Sequence, residues 1–565
     1  QTAGRLKWRG DIGDRISLQL GGQLSTSDHS YPGWQLYDID PDALAYARSH
    51  HAATEDNPRD AHTAFDLPAF VRRDSRMLHS VADVDLDGLW GASDLTFTAV
   101  AGHAGVVNDI LMDFDVSAAD LVGVKADFEF DQNSLELRVN GRAAGIGGQG
   151  LEFVGGLFGF QSQMLTRVDV QLGTDITDFA LTPAGFEALG APDSPSGSNP
   201  LGLLLNAIPI PGPDYNDGVL SLFTQDTVSY ALFGQLTWFL GERWALITGL
   251  RLGRETKDAY LDVEAYGPGI TGAIVGAERV QQPLARDEDE ISPKLGLRLD
   301  LSDDISSYLT WTRGFKSGGF NAISFDNANL EFAPEQADAW ELGMKSRLLD
   351  NSLSLNAALY TTEVSNMQVV NFNGVGFDVF NAEGARLQGL ELDLAWLPSV
   401  PWLSLDASLG LSRAEYLSYP NGPPTAAQQD AAGPTDTPQQ DLSGRTLPRA
   451  PVISGSLRPT FSLPLGRWFG SDLGLRIGLD ASYRGEQYLE LDLDEHSRQP
   501  GHWLYGARMI VGPRDAGAWA VILNGSNLGN TRALNFVADH NLYAHSYFAN
   551  QIPERLISLS FSRQW

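Results

Sequence analysis

The side chains best placed to do chemistry are charges set two or four residues apart inside segments that otherwise alternate with apolar residues. They are Arg298 and Asp300, Glu341 and Lys345, Glu391 and Asp393, and Arg476 and Asp480. Even spacing puts the members of each pair on one face of a β-strand, so they would line a wet surface able to hold a polar ligand or another protein segment. Catalysis has less to stand on. No serine, histidine and carboxylate share a spacing recognisable as a triad. Gly145, Gly147, Gly148 and Gly150 are followed by Leu151-Glu152, where a phosphate loop needs Lys and then Ser or Thr. The chain has no Cys, which removes thiol nucleophiles, disulfides, iron–sulfur clusters and Cys-ligated zinc. The sequence reads as a non-enzyme with no cofactor.

Two kinds of metal site were weighed against solvation. His50, His51 and His62 with Glu55 could ligate a metal, but adjacent histidines usually point apart, and these read as a solvated link. The runs Asp287-Glu288-Asp289-Glu290 and Glu490-Leu491-Asp492-Leu493-Asp494-Glu495 offer hard oxygens suited to calcium. Neither has EF-hand spacing, so both read as solvated charge, and no metal site is assigned. The 565 residues carry 39 Lys and Arg against 71 Asp and Glu, a net charge of −32. That field repels phosphate backbones and argues against nucleic acid as a partner. Disorder, the other habit of acidic chains, does not suit 13 Trp, 16 Tyr and 26 Phe.

The elements that must position these charges repeat with period two. Leu295, Leu297, Leu299 and Leu301 alternate with Lys294, Gly296, Arg298 and Asp300; Leu390, Leu392, Leu394 and Trp396 alternate with Glu391 and Asp393. The same pattern recurs in Ile16 to Leu24, Leu353 to Leu359, Leu403 to Leu411 and Leu473 to Leu479. No stretch is apolar enough to span a membrane as a helix. Tight turns (Asp11 to Asp14, Gly241 to Arg243, Ser302 to Asp304, Leu349 to Asn351) alternate with long links (Asp28 to Ser75, Gln163 to Thr224, Asp258 to Asp289, Glu415 to Thr446, Asn530 to Glu554). Short turns on one side and long loops on the other predict an all-β, large antiparallel transmembrane β-barrel over residues 1–565, with a polar lumen and an apolar outer face. The 163–224 link, rich in Pro, Gly and Ser at Ala191 to Ser198, reads as a long extracellular loop and a candidate lid or partner-binding loop. Asp28 to Ser75 is a second segment expected to fold over the mouth. Trp238, Trp244, Trp311, Trp340, Trp396, Trp402 and Trp503 fall near strand ends, where an interfacial girdle belongs. About nineteen strands of roughly 9–11 residues are readable.

Several segments resemble the TonB-dependent receptors of the Gram-negative outer membrane. They are Gln225 to Gln235, Trp311 to Asn321, Pro334 to Lys345, Asn381 to Leu392, Asn527 to Asn530 and the last strand, Leu556 to Trp565, with Ile557, Leu559, Phe561 and Trp565 in its apolar phase. The resemblance implies a barrel of about 22 strands in the outer membrane that imports a scarce nutrient, usually an iron chelate, sometimes cobalamin or an oligosaccharide. It further implies outer-membrane lipid, a plug domain inside the barrel, and a TonB-type energy-transducing complex as partners. Relative to the family, Gln1 to Ser27 would follow the first three strands, so a plug is expected either in the same polypeptide or on another chain. A plugless scaffold bound to other envelope proteins is the alternative. Within the Trp311 to Asn321 motif, Arg313, Lys316 and Asn321 are the ligand-binding candidates; alternatively Gly318 and Gly319 only shape the turn and Lys316 lies in solvent. The eight paired charges named first are the residues expected to face a plug.

Overall fold

The computed structural model describes residues 1–565 except 31–32, 53, 60–62, 89–91, 145–149, 181, 189–216, 268–270, 273–276, 326–328, 373–376, 432–437, 469, 515–518, 541, 544 and 564–565. Nineteen strands form one sheet. In chain order they are β1 (Thr2–Ile12), β2 (Ile16–Ser30), β3 (Phe70–Asp85), β4 (Ser93–Asp113), β5 (Val122–Ala144), β6 (Gly150–Leu172), β7 (Gly218–Phe239), β8 (Trp244–Tyr266), β9 (Val280–Ser302), β10 (Ile305–Lys316), β11 (Glu335–Leu348), β12 (Leu353–Phe372), β13 (Phe377–Trp396), β14 (Leu403–Ser418), β15 (Ile453–Trp468), β16 (Ser471–Arg484), β17 (His502–Pro513), β18 (Trp519–Ser526) and β19 (Leu556–Arg563). Each pairs antiparallel with the next, from Thr2 opposite Thr26 to Trp519 opposite Arg563. The links nearest the two ends of the sheet meet at the mouth. A short strand in the β2–β3 link, Gln35–Tyr37, pairs with Tyr547–Gln551 of the β18–β19 link. The molecule is a large antiparallel transmembrane barrel.

The register decides which side chains share a face. Leu297 stands opposite Leu309, Leu309 opposite Leu342, Leu342 opposite Leu359 and Leu359 opposite Leu390, a continuous apolar belt. These side chains are exposed, Leu342 at 49% and Leu359 at 53%, as a lipid-facing surface must be. Trp244 and Trp396 bound the belt at the tight-turn end, and Trp311, packed 6.4 Å from Trp340, lies toward the long links.

Strands β5, β6, β8 and β9 each run 23 residues, roughly 75 Å, far beyond a belt roughly 25 Å tall. Hence the long links are shorter than the sequence pattern suggests. The 163–224 segment is strand up to Leu172 and again from Gly218, and the 258–289 segment is strand up to Tyr266 and again from Val280. Above the belt the apolar side chains of these strands, Val219, Phe223, Leu261 and Val263 among them, turn to the core at the mouth instead of to lipid, and backbone pairing continues. The Ala191 to Ser198 stretch lies outside the described residues.

The main dry core sits at the mouth rather than inside the barrel. Helix α1 (Pro41–His50), capped by the Asp40 carboxylate on the Asp42 and Ala43 N–H groups, supplies Ala43, Tyr46 and Ala47. They pack with Val124 and Val168 of the wall, Phe179 from helix α2 (Ile176–Ala180), and Tyr543 and Phe548 from the last link. The transmembrane wall needs no such core, because lipid takes its apolar face.

Candidate functional site

Following the pairings from β9 through β16 places Arg298, Asp300, Glu341, Lys345, Glu391, Asp393, Arg476 and Asp480 on one face, opposite the apolar belt. This inner face is laced with polar contacts. Arg298 pairs with Asp300 at 3.2 Å and lies over the Phe239 ring, and Asp480 accepts from Arg458 at 2.6 Å. Tyr308 donates to Glu341 at 2.6 Å, and its ring lies 5.9 Å from the Lys345 ammonium. Tyr308 can lie flat because Gly343 stands opposite it. A Cβ there would sit 2.1 Å from the ring, so Gly343 is required by close approach. Glu391 and Asp393 belong to β13, one strand removed from β11, and Arg476 to β16, so the eight form a lining and not a single pocket.

The Trp311 to Asn321 motif divides three ways. Arg313 shares the strand phase of Leu309 and Trp311, which puts it on the outer face. There its guanidinium makes two 3.0 Å bonds to the Asp338 carboxylate, which also accepts from Trp311 Nε1. It lies in the outer girdle beside Trp311, away from the inner face. Asn321 is 2% exposed, and its amide is fully engaged: Nδ2 donates to the carbonyls of Asn329 and Val379, and Oδ1 accepts from the Val379 N–H. It ties the link after β10 to β13. Lys316 is the exception, exposed on the inner face in register with Glu335.

Between Lys316 and Asn321 the chain is pinned over the mouth by Lys257 of β8 and by Arg286 and Glu288, which the sequence pattern assigns to the 258–289 link. Lys257 Nζ donates to Ser317 Oγ at 2.7 Å and to the Gly318 carbonyl at 2.5 Å. The Gly318 N–H donates to Glu288, which pairs with Arg286, itself 3.0 Å from Glu331. A Cβ on Gly318 would meet the Phe332 carbonyl at 2.4 Å, so this glycine also serves close approach. The Asp287 to Glu290 run is therefore solvated charge only at Asp287 and Asp289, while Glu288 and Glu290 are shielded and paired. It is mid-strand in β9, with Glu288 and Glu290 facing inward to Arg286 and Arg251, and Asp287 and Asp289 facing outward to Arg254. Alternating signs across β8 and β9 were the signal that could have revealed it.

The histidine candidates do not converge. His50 Nε2 lies 3.4 Å from Asp175, and His62 lies outside the described residues. Gly145, Gly147 and Gly148 are likewise outside them. His540 is instead a buried pin, its imidazole pushed down to about 4 by burial and neutral at pH 7. A cavity of about 370 Å³ opens between Gln368, Arg449, Glu490 and Phe536.

The family model for the TonB dependent receptor-like β-barrel matches residues 8–528. The chain belongs to the TonB-dependent receptors. Among solved structures, this receptor barrel is similar to the ferric yersiniabactin uptake receptor FyuA of Yersinia pestis, at 15% identity and a TM-score of 0.69, covering 99% of this chain and 70% of that one. It is similar to the siderophore receptor PiuA of Acinetobacter baumannii at 16% identity and TM-score 0.68, covering 99% and 73%. The ferric-catecholate import receptor Fiu of E. coli K12 matches at 15% identity and TM-score 0.65, covering 99% and 74%. At such identities these TonB-dependent receptors share the fold, and nothing about the ligand follows from them alone.

Proposed function

We propose that this receptor takes up a scarce nutrient, an iron chelate first of all, across the outer membrane of a Gram-negative bacterium, driven by a TonB-type complex. The observation that carries the reading is the built mouth. The first and last outer links pair as strands over a barrel whose inner face is polar along its length, and Lys257, Arg286 and Glu288 fix the Gly318 segment above it. A structured mouth above a polar lumen suits capture of a ligand and its passage inward. The similarity to a ferric yersiniabactin receptor, a siderophore receptor and a ferric-catecholate receptor supports iron chelates as the class to try first. A plug segment occupies the lumen in this reading, held by the eight inner-face charges, since a bore of this width would otherwise leak solutes.

The test is binding. Trp34, packed against Phe536 and Phe548 at the mouth, makes intrinsic fluorescence a direct readout for a panel of ferric hydroxamates, ferric catecholates, ferric citrate, cobalamin and short oligosaccharides. Saturable quenching by one iron chelate supports the assignment; saturation only by cobalamin or a sugar moves the receptor to another nutrient, and no saturation by any probe contradicts uptake.

A further inference from the structure

The run Glu490 to Asp494 reads in sequence as solvated acid. The structure buries it. Leu489, Leu491 and Leu493 are 4%, 7% and 4% exposed, anchored in the cores beneath the mouth, and they carry Asp492 and Asp494 down to 4% and 6%. Asp494 is satisfied, accepting from the His496 N–H and the Tyr547 hydroxyl. Its two predecessors are satisfied on one oxygen only. Glu490 Oε1 accepts from the Asp539 N–H at 3.1 Å, and Asp492 Oδ1 accepts from the Asp494 N–H at 3.0 Å. Glu490 Oε2 and Asp492 Oδ2 are buried with no hydrogen-bond partner.

Asp539, from the β18–β19 link, completes a group of three carboxylates whose facing oxygens all lie within 4.8 Å of one another. That spread matches the widest separation of two oxygens that ligate the same ion at roughly 2.4 Å, a calcium distance. The donor set holds oxygen alone, without nitrogen or sulfur, which selects a hard cation over zinc or copper.

We propose that Glu490, Asp492 and Asp539 form a binding site for a hard divalent cation of calcium's size, which clasps the β16–β17 link to the β18–β19 link. Two orphaned buried oxygens are the observation that points to a ligand, because a buried carboxylate oxygen left unpaired is costly and an ion between them removes that cost. With no ion present, burial and the neighbouring carboxylates raise Glu490 well above its ordinary range and Asp492 to about 7. The clasp joins segments about fifty residues apart and forms one wall of the cavity that Glu490 shares with Arg449 and Phe536. The cation would therefore set the shape of the mouth, independently of which nutrient enters.

The experiment uses the purified receptor in detergent, stripped with a chelator and titrated with calcium chloride by calorimetry. Limited proteolysis of the 485–501 and 527–555 links is followed in parallel, with magnesium chloride for comparison. The wild-type protein should bind one calcium per chain in this region and lose roughly tenfold in cleavage rate at both links. The isosteric double variant E490Q/D492N should be at least as protease-resistant as calcium-free wild type, since it is relieved of buried repulsion, and should respond to calcium in neither assay. Calcium that leaves wild-type heats and cleavage unchanged at millimolar concentration overturns the site. So does calcium protection that persists undiminished in the double variant.

Discussion

His540 Nε2 donates a 2.9 Å hydrogen bond to the backbone carbonyl of Asp115, joining the last outer link to the one between β4 and β5. The same imidazole accepts on Nδ1 from the N–H groups of Leu542 and Tyr543, so one neutral ring satisfies three backbone groups. Replacing it with alanine strands those groups in a dry core. His540→Ala should destabilise the cap by about 3 kcal/mol, given about 1–3 kcal/mol for each buried polar group left unsatisfied. Hydrogen exchange over residues 114–121 should accelerate roughly a hundredfold, while the strands of the lipid-facing belt keep their protection.

A pair of carboxyls makes the same region sensitive to alkali. Asp113, at the outer end of β4, is raised from 3.8 to about 9 by burial, by Asp115 and by its contact with Asp66, which is itself raised chiefly by burial. The folded state thus holds a proton that the unfolded state releases above pH 3.8, so its contribution to stability is complete below that pH and is lost as pH rises through about 9. Protease resistance of the 66–121 region should fall between pH 7 and pH 10, with Asp113→Asn flattening that dependence. An equal slope in the variant would assign the effect elsewhere.

The two exposed cations of the Trp311 to Asn321 motif should separate cleanly. Arg313 is bound to Asp338 on the outer face, so Arg313→Ala should cost about 1 kcal/mol of stability and leave ligand affinity unchanged. Lys316 faces inward at the rim, so Lys316→Ala should weaken an anionic chelate by roughly 3- to 10-fold with little change in melting temperature. Fluorescence titration and thermal melts of both variants check the pair, and reversed effects would return Arg313 to the ligand.

Neutralising the lining tests what fills the lumen. A variant carrying Arg298→Gln, Glu341→Gln, Asp393→Asn and Arg476→Gln should loosen a plug and raise single-channel conductance in planar bilayers. Conductance indistinguishable from wild type would mean that these charges hold no plug.

How far the sequence could be read follows from where lipid lies. Leu295 to Leu301 and Leu390 to Trp396 alternate because lipid wets one face and water the other, and that contrast made the belt and its phase legible. Phase also made the outer-face position of Arg313 legible, since it shares that phase with Leu309 and Trp311. The upper halves of β8 and β9 keep an apolar contrast only at their outer ends, at Leu261, Val263, Val280 and Leu284, and not around Lys257, Arg286 and Glu288. Lys257, Arg286 and Glu288 stand in strands with water or protein on both sides, so their alternation is of charge sign rather than hydropathy. Contacts such as His540 with Asp115, or Glu490 with Asp539, join distant outer links, and no local period encodes them.

The measurement that bears most directly on the central claim is accumulation of radiolabelled iron by Gram-negative cells that lack their own iron-chelate receptors. The cells would express this receptor with and without a functional TonB complex and be supplied with the chelate that saturates the purified protein. The account predicts energy-dependent accumulation that requires both the receptor and the complex, and that falls in the Lys316→Ala variant. Equal accumulation with and without the complex, or none above cells lacking the receptor, would contradict it.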